Sequence, residues 1–234
     1  MNVLITSAAS ELSKRLAIAA SDSHTIRLTE LQPIETDFDF TQGDLGHDES
    51  TNELVKGIDT IVHIAEIPTH ILTSADQPEN LQIDFQTRCT YNLLMAGSEE
   101  GVKQFIYAST LRLFDNHDED WTVKENWRPR PTTDSYVLSK HLGEFTCREF
   151  SREGKIKVSI LRLGTLKTSE EVKKGEIDTM CLELNDAVSA FQGAIDAPSK
   201  WGIFHIQSEF SGSRFDIGNA KSHLNYEPKF DPTV

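Results

Sequence analysis

The chain has 234 residues, enough to bury a full core in one α/β domain. Its 23 Lys and Arg against 37 Asp and Glu leave a net charge of -14, an acidic surface that repels phosphate backbones and anionic lipid and so argues against nucleic-acid and membrane partners. Cys89, Cys147 and Cys181 lie far apart with no Cys-x-x-Cys pair, which argues against a zinc knuckle or a disulfide framework and fits a reducing, cytoplasmic setting.

The first stretch, MNVLITSAAS, has no basic region ahead of its short apolar run, so neither a signal peptide nor a membrane span is expected there. Its VLI at 3–5 reads as a strand. SELSKRLAIAA follows as a helix, with Ser10 as N-cap and Leu12, Leu16, Ala19 and Ala20 at helical spacing. A second strand over His24–Leu28 ends near Glu30, and a third over Phe38–Gln42 runs into Gly43, Asp44 and Leu45. Leu54 and Val55 belong to a short helix, and Thr60–Ile64 is a fourth strand. Asn80–Glu100 predicts a helix of several turns stopped by Gly101. Phe105–Ala108 is a fifth strand ending at Ser109 and Thr110, and the polar, Pro-containing 112–134 reads as a loop. A helix through 132–150 and a strand over Val158–Leu163 come next. Beyond Gly164 the pattern weakens: 165–181 is irregular, 183–196 weakly helical, Ile203–Ile206 a short strand and Phe215–Leu224 a last helical segment. Strands alternating with helices predict an α/β fold with a doubly wound, mostly parallel, Rossmann-like sheet. We expect a single domain over 1–234, in which 165–234 adds a small C-terminal cap on the substrate side that does not fold alone.

Tyr136 and Lys140 stand four apart, on one face of the predicted helix. A tyrosine near its ordinary pKa of about 10 is a poor base at neutral pH, and a neighbouring cation improves it. Such a pair also arises on helices by chance. The eight histidines show no metal-ligand spacing, and no metal is expected.

Six motifs in order carry a resemblance: VLITSAASELS, GDL at 43–45, HIA at 63–65, YASTLRLF at 107–114, YVLSK at 136–140 and ILRLG at 160–164. The chain resembles the extended (atypical) short-chain dehydrogenases/reductases of the NAD-dependent epimerase/dehydratase family. The similarity runs through YEP at 226–228. The short interval between Leu163 and the helix near 185 is similar to the compact uronate dehydrogenases, as are RLTEL at 27–31 and TYNLL at 90–94.

The resemblance implies that Tyr136 is the general acid/base, that Lys140 lowers its pKa and holds the nicotinamide ribose, and that the Thr110 hydroxyl polarises the substrate oxygen. Thr110 is preferred to Ser109 because it lies four residues before Phe114, where the family usually has a tyrosine. Gln86 stands at the position of the family's proton-relay Asn, and Val137 at that of a glycine. NAD is the implied cofactor. Ser7, Ser10, Glu11 and Leu12 would meet its pyrophosphate, Glu30 its adenosine ribose, Asp44 and Leu45 its adenine, and Ile64 and Ala65 would flank it. Glu30 lies about 20 residues past the turn and would repel a 2'-phosphate, which favours NAD over NADP. Glu66, Leu111, Arg112 and Arg162 are the candidates for substrate binding, Arg162 equally as a structural ion pair. Where uronate dehydrogenases have Asn-His after the catalytic hydroxyl, this chain has Leu111 and Arg112.

The main departure is the cofactor turn. The family's TGxxGxxG is here Thr6 with Ser7, Ser10 and Ser13 in place of the three glycines. Glycine allows positive φ and close approach of backbone to phosphate, whereas serine in the left-handed region costs about 1–2 kcal/mol. Two readings follow. One is an NAD-dependent oxidoreductase or epimerase/dehydratase-type enzyme acting on a sugar-like small molecule, with a homodimer as the family's expectation. The other is a catalytically silent binding or sensor protein with a degenerate dinucleotide loop.

Overall fold

The computed structural model describes residues 1–174 and 178–230. Seven strands form one parallel sheet in the order β3-β2-β1-β4-β5-β6-β9: β1 Asn2–Ile5, β2 Thr25–Glu30, β3 Asp39–Gln42, β4 Thr60–His63, β5 Gln104–Thr110, β6 Lys157–Leu163 and β9 Trp201–Ile206. β1, β4, β5 and β6 are almost wholly buried, which is why they read as unbroken apolar runs.

Alternate residues of the central strands face opposite layers. Val3, Ile5, Val62, Ile64, Ile106 and Leu161 pack under α1 (Glu11–Ala20), α8 (Leu184–Asp196) and α9 (Gly218–Leu224). Leu4, Ile61, Phe105, Tyr107, Val158 and Ile160 pack under α2 (Glu49–Val55), α5 (Thr90–Glu99) and α6 (Ser135–Arg152). α6 approaches the sheet closely at Gly143, where a Cβ would stand 2.1 Å from the Tyr107 hydroxyl oxygen. The strand order reverses between β1 and β4, so the crevice at their carboxyl ends is the topological switch point where open α/β sheets bind ligands.

Four segments differ from the sequence expectation. α3 (Thr69–Ser74) is an additional short helix. The long helix is α4 (Pro78–Asp84) joined to α5 by a π-helical turn at Phe85–Cys89. The region after Gly164 is less irregular than it reads, because β7 (Thr165–Lys167) pairs with β8 (Cys181–Glu183) around the short α7 (Ser169–Lys173). Gly164 is needed there, since a Cβ would lie 2.0 Å from the Met180 carbonyl oxygen. The last helix is shorter than expected, starting at Gly218. Among the described residues no helix is long and apolar enough to cross a membrane.

Candidate active site

The turn between β1 and α1 keeps the geometry a glycine would give. Ser7 lies in the left-handed region at φ 55°. Its hydroxyl reaches across the switch point, donating to the Glu66 carbonyl (2.8 Å) and accepting from the Glu66 amide (2.9 Å). The neighbouring Thr6 hydroxyl accepts from the Ile64 amide at 3.1 Å and bonds to Nδ1 of His63 at 2.9 Å. His63 Nε2 pairs with the Thr90 hydroxyl at 3.0 Å, and burial drops this imidazole to about 3, so it is neutral.

Ser10 and Ser13 turn inward. The Ser10 hydroxyl accepts from the Ser13 amide (3.1 Å) and donates to the Ser13 hydroxyl (2.9 Å), which donates to the Thr6 carbonyl (3.0 Å). Ser10 is therefore the N-cap of α1, and Ser13 fills the contact between helix and strand. The Glu11 and Leu12 amides have no acceptor among the described residues, leaving first-turn donors at the mouth of the crevice. The Leu12 side chain itself is buried in the core, and that of Glu11 is exposed and paired with Arg15. Glu30 is buried, and its carboxylate accepts from the Ala9 amide (3.0 Å) and the Leu31 amide (2.7 Å).

These residues line a cleft of about 650 Å³, with Ser7, Ser10, Glu11 and Glu30 on one wall and Ile67, His70 and Thr73 on the other. Asp44, Leu45, Ile64 and Ala65 lie outside its lining. Asp44 accepts from the Gly46 amide (3.0 Å), and Leu45, at φ 56°, is held through its carbonyl by Asn92 (3.0 Å). Ile64 and Ala65 are fully buried, and their carbonyls face Lys140.

A second pocket, of about 230 Å³, is lined by Thr110, Arg112, Tyr136 and Glu66 with Leu166 and Met180. Glu66 belongs to both cavities. Thr110 ends β5, and its hydroxyl accepts from the Arg112 amide at 3.2 Å. Ser109 points the other way and donates to Glu144 at 2.6 Å, so Thr110 is the hydroxyl facing the pocket. Asp134 caps α6 by accepting from the Val137 amide, which sets Tyr136 at the pocket wall. Burial, and then the charge of Glu66, push the Tyr136 phenol above its ordinary range.

Here the structure departs from the expected division of labour. Tyr136 and Lys140 do share a face, with the ammonium 5.6 Å from the phenol ring centre. All three N–H groups of that ammonium, however, meet main-chain carbonyls: Ile64 at 2.9 Å, Ala65 at 3.2 Å and Ala108 at 2.8 Å. Desolvation drops Lys140 to about 8. Burial is the largest influence on the phenol and raises it, while the ammonium is engaged by main-chain carbonyls. Gln86 is similarly occupied, its amide donating to the Ala65 carbonyl (2.9 Å) and accepting from the Ser139 hydroxyl (2.6 Å).

Two substrate candidates are not brought to the pocket. Arg162 is buried and forms a two-point ion pair with Glu144, at 2.8 Å from each carboxylate oxygen. Leu111 is buried among Leu113, Phe114 and Val137. Arg112 does line the pocket, held at 3.3 Å by Asp115 and facing Asp134 at 3.9 Å. The pocket's far wall runs from Leu163 at the end of β6 through Leu166 to Met180, and its Thr165, Leu166 and Met180 lie in the irregular segment expected as a cap, none of them singled out by sequence.

The family model described as NAD dependent epimerase/dehydratase family matches residues 5–183. The chain belongs to this family. A uronate dehydrogenase of Pseudomonas syringae pv. tomato is 26% identical over 238 residues, covering 97% of this chain and 81% of that protein. YtbQ of Bacillus subtilis, described as uncharacterized, is 25% identical over 197 residues, covering 79% of this chain and 76% of that protein. Among solved structures, the uronate dehydrogenase of Agrobacterium tumefaciens superposes with a TM-score of 0.82 at 21% identity, covering 99% of this chain and 85% of the other. The epimerase/dehydratase fold, with its Rossmann-like sheet, is thereby established for this chain.

Proposed function

We propose that this epimerase/dehydratase family member is an NAD-linked oxidoreductase acting on a hydroxyl or carbonyl of a sugar-like small molecule, with Tyr136 as general acid/base. The observation that carries the reading is the junction at the switch point: a cleft with open first-turn amides meets a small pocket walled by Tyr136 and Thr110. The residues present fit a dinucleotide. Ser7 keeps the left-handed backbone of a glycine, and the Ser10 and Ser13 hydroxyls fold into the turn instead of into the cleft. The Glu11 and Leu12 amides would hold the pyrophosphate, and Glu30 would accept from a ribose hydroxyl and repel a 2'-phosphate.

Bound there, the nicotinamide supplies the hydride acceptor or donor. Tyr136, held protonated by burial, gives its proton to a carbonyl oxygen in one direction and takes an alcohol proton in the other, a contribution of about 10²- to 10⁴-fold. The Thr110 hydroxyl accepts from the Arg112 amide and so has its hydrogen available for the same substrate oxygen. Lys140 anchors the ends of β4 and β5, and would reach a ribose by releasing one of its carbonyls. The segment after Gly164 would act as a substrate-side cap through Thr165, Leu166 and Met180. Tyr91 on α5 with Leu142 and Phe145 on α6 are exposed apolar side chains, the surface on which a homodimer would form; sedimentation giving monomer alone would remove that dimer.

Calorimetry with NAD and NADP is the first test: NAD is expected to bind below millimolar concentration and NADP more weakly. In a screen of aldoses and uronates, Tyr136→Phe should lose at least about 100-fold in turnover. One observation favours the alternative, a silent scaffold: every donor of Lys140 is already engaged. That alternative holds if neither nucleotide binds.

A further inference from the structure

Glu66 is the residue through which the two cavities meet, and its position is fixed by an unusual device. The Ser7 hydroxyl bonds to both the amide and the carbonyl of Glu66, at 2.9 and 2.8 Å. Serine at the first glycine position thus clamps Glu66, three residues past the end of β4, at the crevice. The Glu66 carboxyl makes no ion pair and no side-chain hydrogen bond among the described residues. The nearest buried cation, Lys140, is turned toward the carbonyls of Ile64, Ala65 and Ala108, and Arg112 toward Asp115 and Asp134. A carboxylate so placed, partly removed from water and without a partner, is stabilised by any cation that enters the junction. Hydride can pass between a dinucleotide in the larger cleft and a carbon beside Tyr136 only across that junction. The reacting ring is a cation when oxidised and neutral when reduced.

We propose that Glu66, positioned by Ser7, sets the redox preference of the cofactor site by favouring the oxidised, cationic nicotinamide over the reduced, neutral one. The inference rests on the reading of the larger cleft as a dinucleotide site. Burial raises the Glu66 carboxyl while the charge of Lys140 lowers it, so wild type and variants are compared at one and the same pH.

Dissociation constants for NAD+, NADH and ADP-ribose are measured by calorimetry on the full chain. The wild type is expected to bind NAD+ more tightly than NADH. Glu66→Gln, which keeps the shape and removes the charge, should shrink the NADH-to-NAD+ ratio by about tenfold. Affinity for ADP-ribose, which lacks the nicotinamide, should be the same in both proteins. Glu66→Asp should retain a ratio above that of the Gln variant. A wild type that binds NADH as tightly as NAD+, or a Gln variant whose ratio is unmoved, overturns the proposal while leaving the dinucleotide site intact. Absence of binding by all three ligands overturns the dinucleotide site itself, and this inference with it. The wild-type ratio decides even if a variant fails to fold.

Discussion

The turn after β1 and the helix bearing Tyr136 depart from expectation in opposite ways. In the turn the family's glycines are gone, yet the geometry persists: Ser7 takes the positive φ, and Ser10 and Ser13 absorb their own hydroxyls into a cap and a packing contact. In the helix the motif is intact, yet its cation is not at the disposal of the phenol, because three carbonyls hold it. Backbone conformation and hydrogen-bond inventory, more than residue identity, decide what each site can do.

The strongest way to break this comparison is to remove the ammonium. Lys140→Met leaves the Ile64, Ala65 and Ala108 carbonyls without their donor, while relieving the cost of a buried cation. We expect a net loss of about 3 kcal/mol in chemical denaturation, or roughly 10 °C in Tm for a chain of this size. A variant as stable as the wild type that no longer binds NAD would mean that Lys140 serves the cofactor and not the scaffold.

Much of this was legible in the sequence, and the rest was hidden for definable reasons. β1, β4, β5 and β6 declared themselves because both faces are buried, and Thr110 was separable from Ser109 by its spacing to Phe114. The engagement of Lys140 was not readable, because its partners are main-chain carbonyls, which any residue supplies. Nor was the Ser7 clamp, whose partner is the backbone of a residue 59 positions away, so that serine read only as a damaged glycine. Arg162 read as either a ligand or an ion pair, and Glu144 on α6 settles its place. The wall formed by Leu166 and Met180 was hidden because β7 and β8 are three residues each, too short to show a period.

His63 joins the turn, through Thr6, to Thr90 of α5, whose hydroxyl meets the Gln86 carbonyl, and Gln86 in turn accepts from Ser139 on the Tyr136 helix; the titration of His63 sharpens the comparison on a smaller scale. Burial and the charge of Lys140 hold it at about 3 in the folded chain, while the unfolded imidazole protonates near its ordinary value of 6.5. Between those values the unfolded state binds more protons, so stability falls as the pH drops below 6.5; by pH 5 the loss is about 2 kcal/mol. His63→Gln, which can bridge the same hydroxyls without titrating, should flatten the acid limb of a Tm-against-pH curve. Among the histidines, the slope that remains belongs to His205, also held at about 3 by burial, and to His141, which burial lowers as well. An unchanged slope in the Gln variant would show that His63 does not couple the two regions.

The Ser7 clamp itself is tested by two substitutions, the smaller of which has the smallest effect of all. Ser7→Ala keeps a β-carbon in the left-handed region and leaves the Glu66 amide and carbonyl without their partner, an expected loss of about 2 kcal/mol. Ser7→Gly loses the same two bonds and relieves about 1 kcal/mol of backbone strain, so it should fall between Ala and the wild type. The gap between Ala and Gly reads the strain, and the gap between Ala and wild type reads the hydroxyl. Were the Gly variant more stable than the wild type, the hydroxyl would contribute less than the strain costs, and Ser7 would be a worn glycine whose contact with Glu66 is incidental.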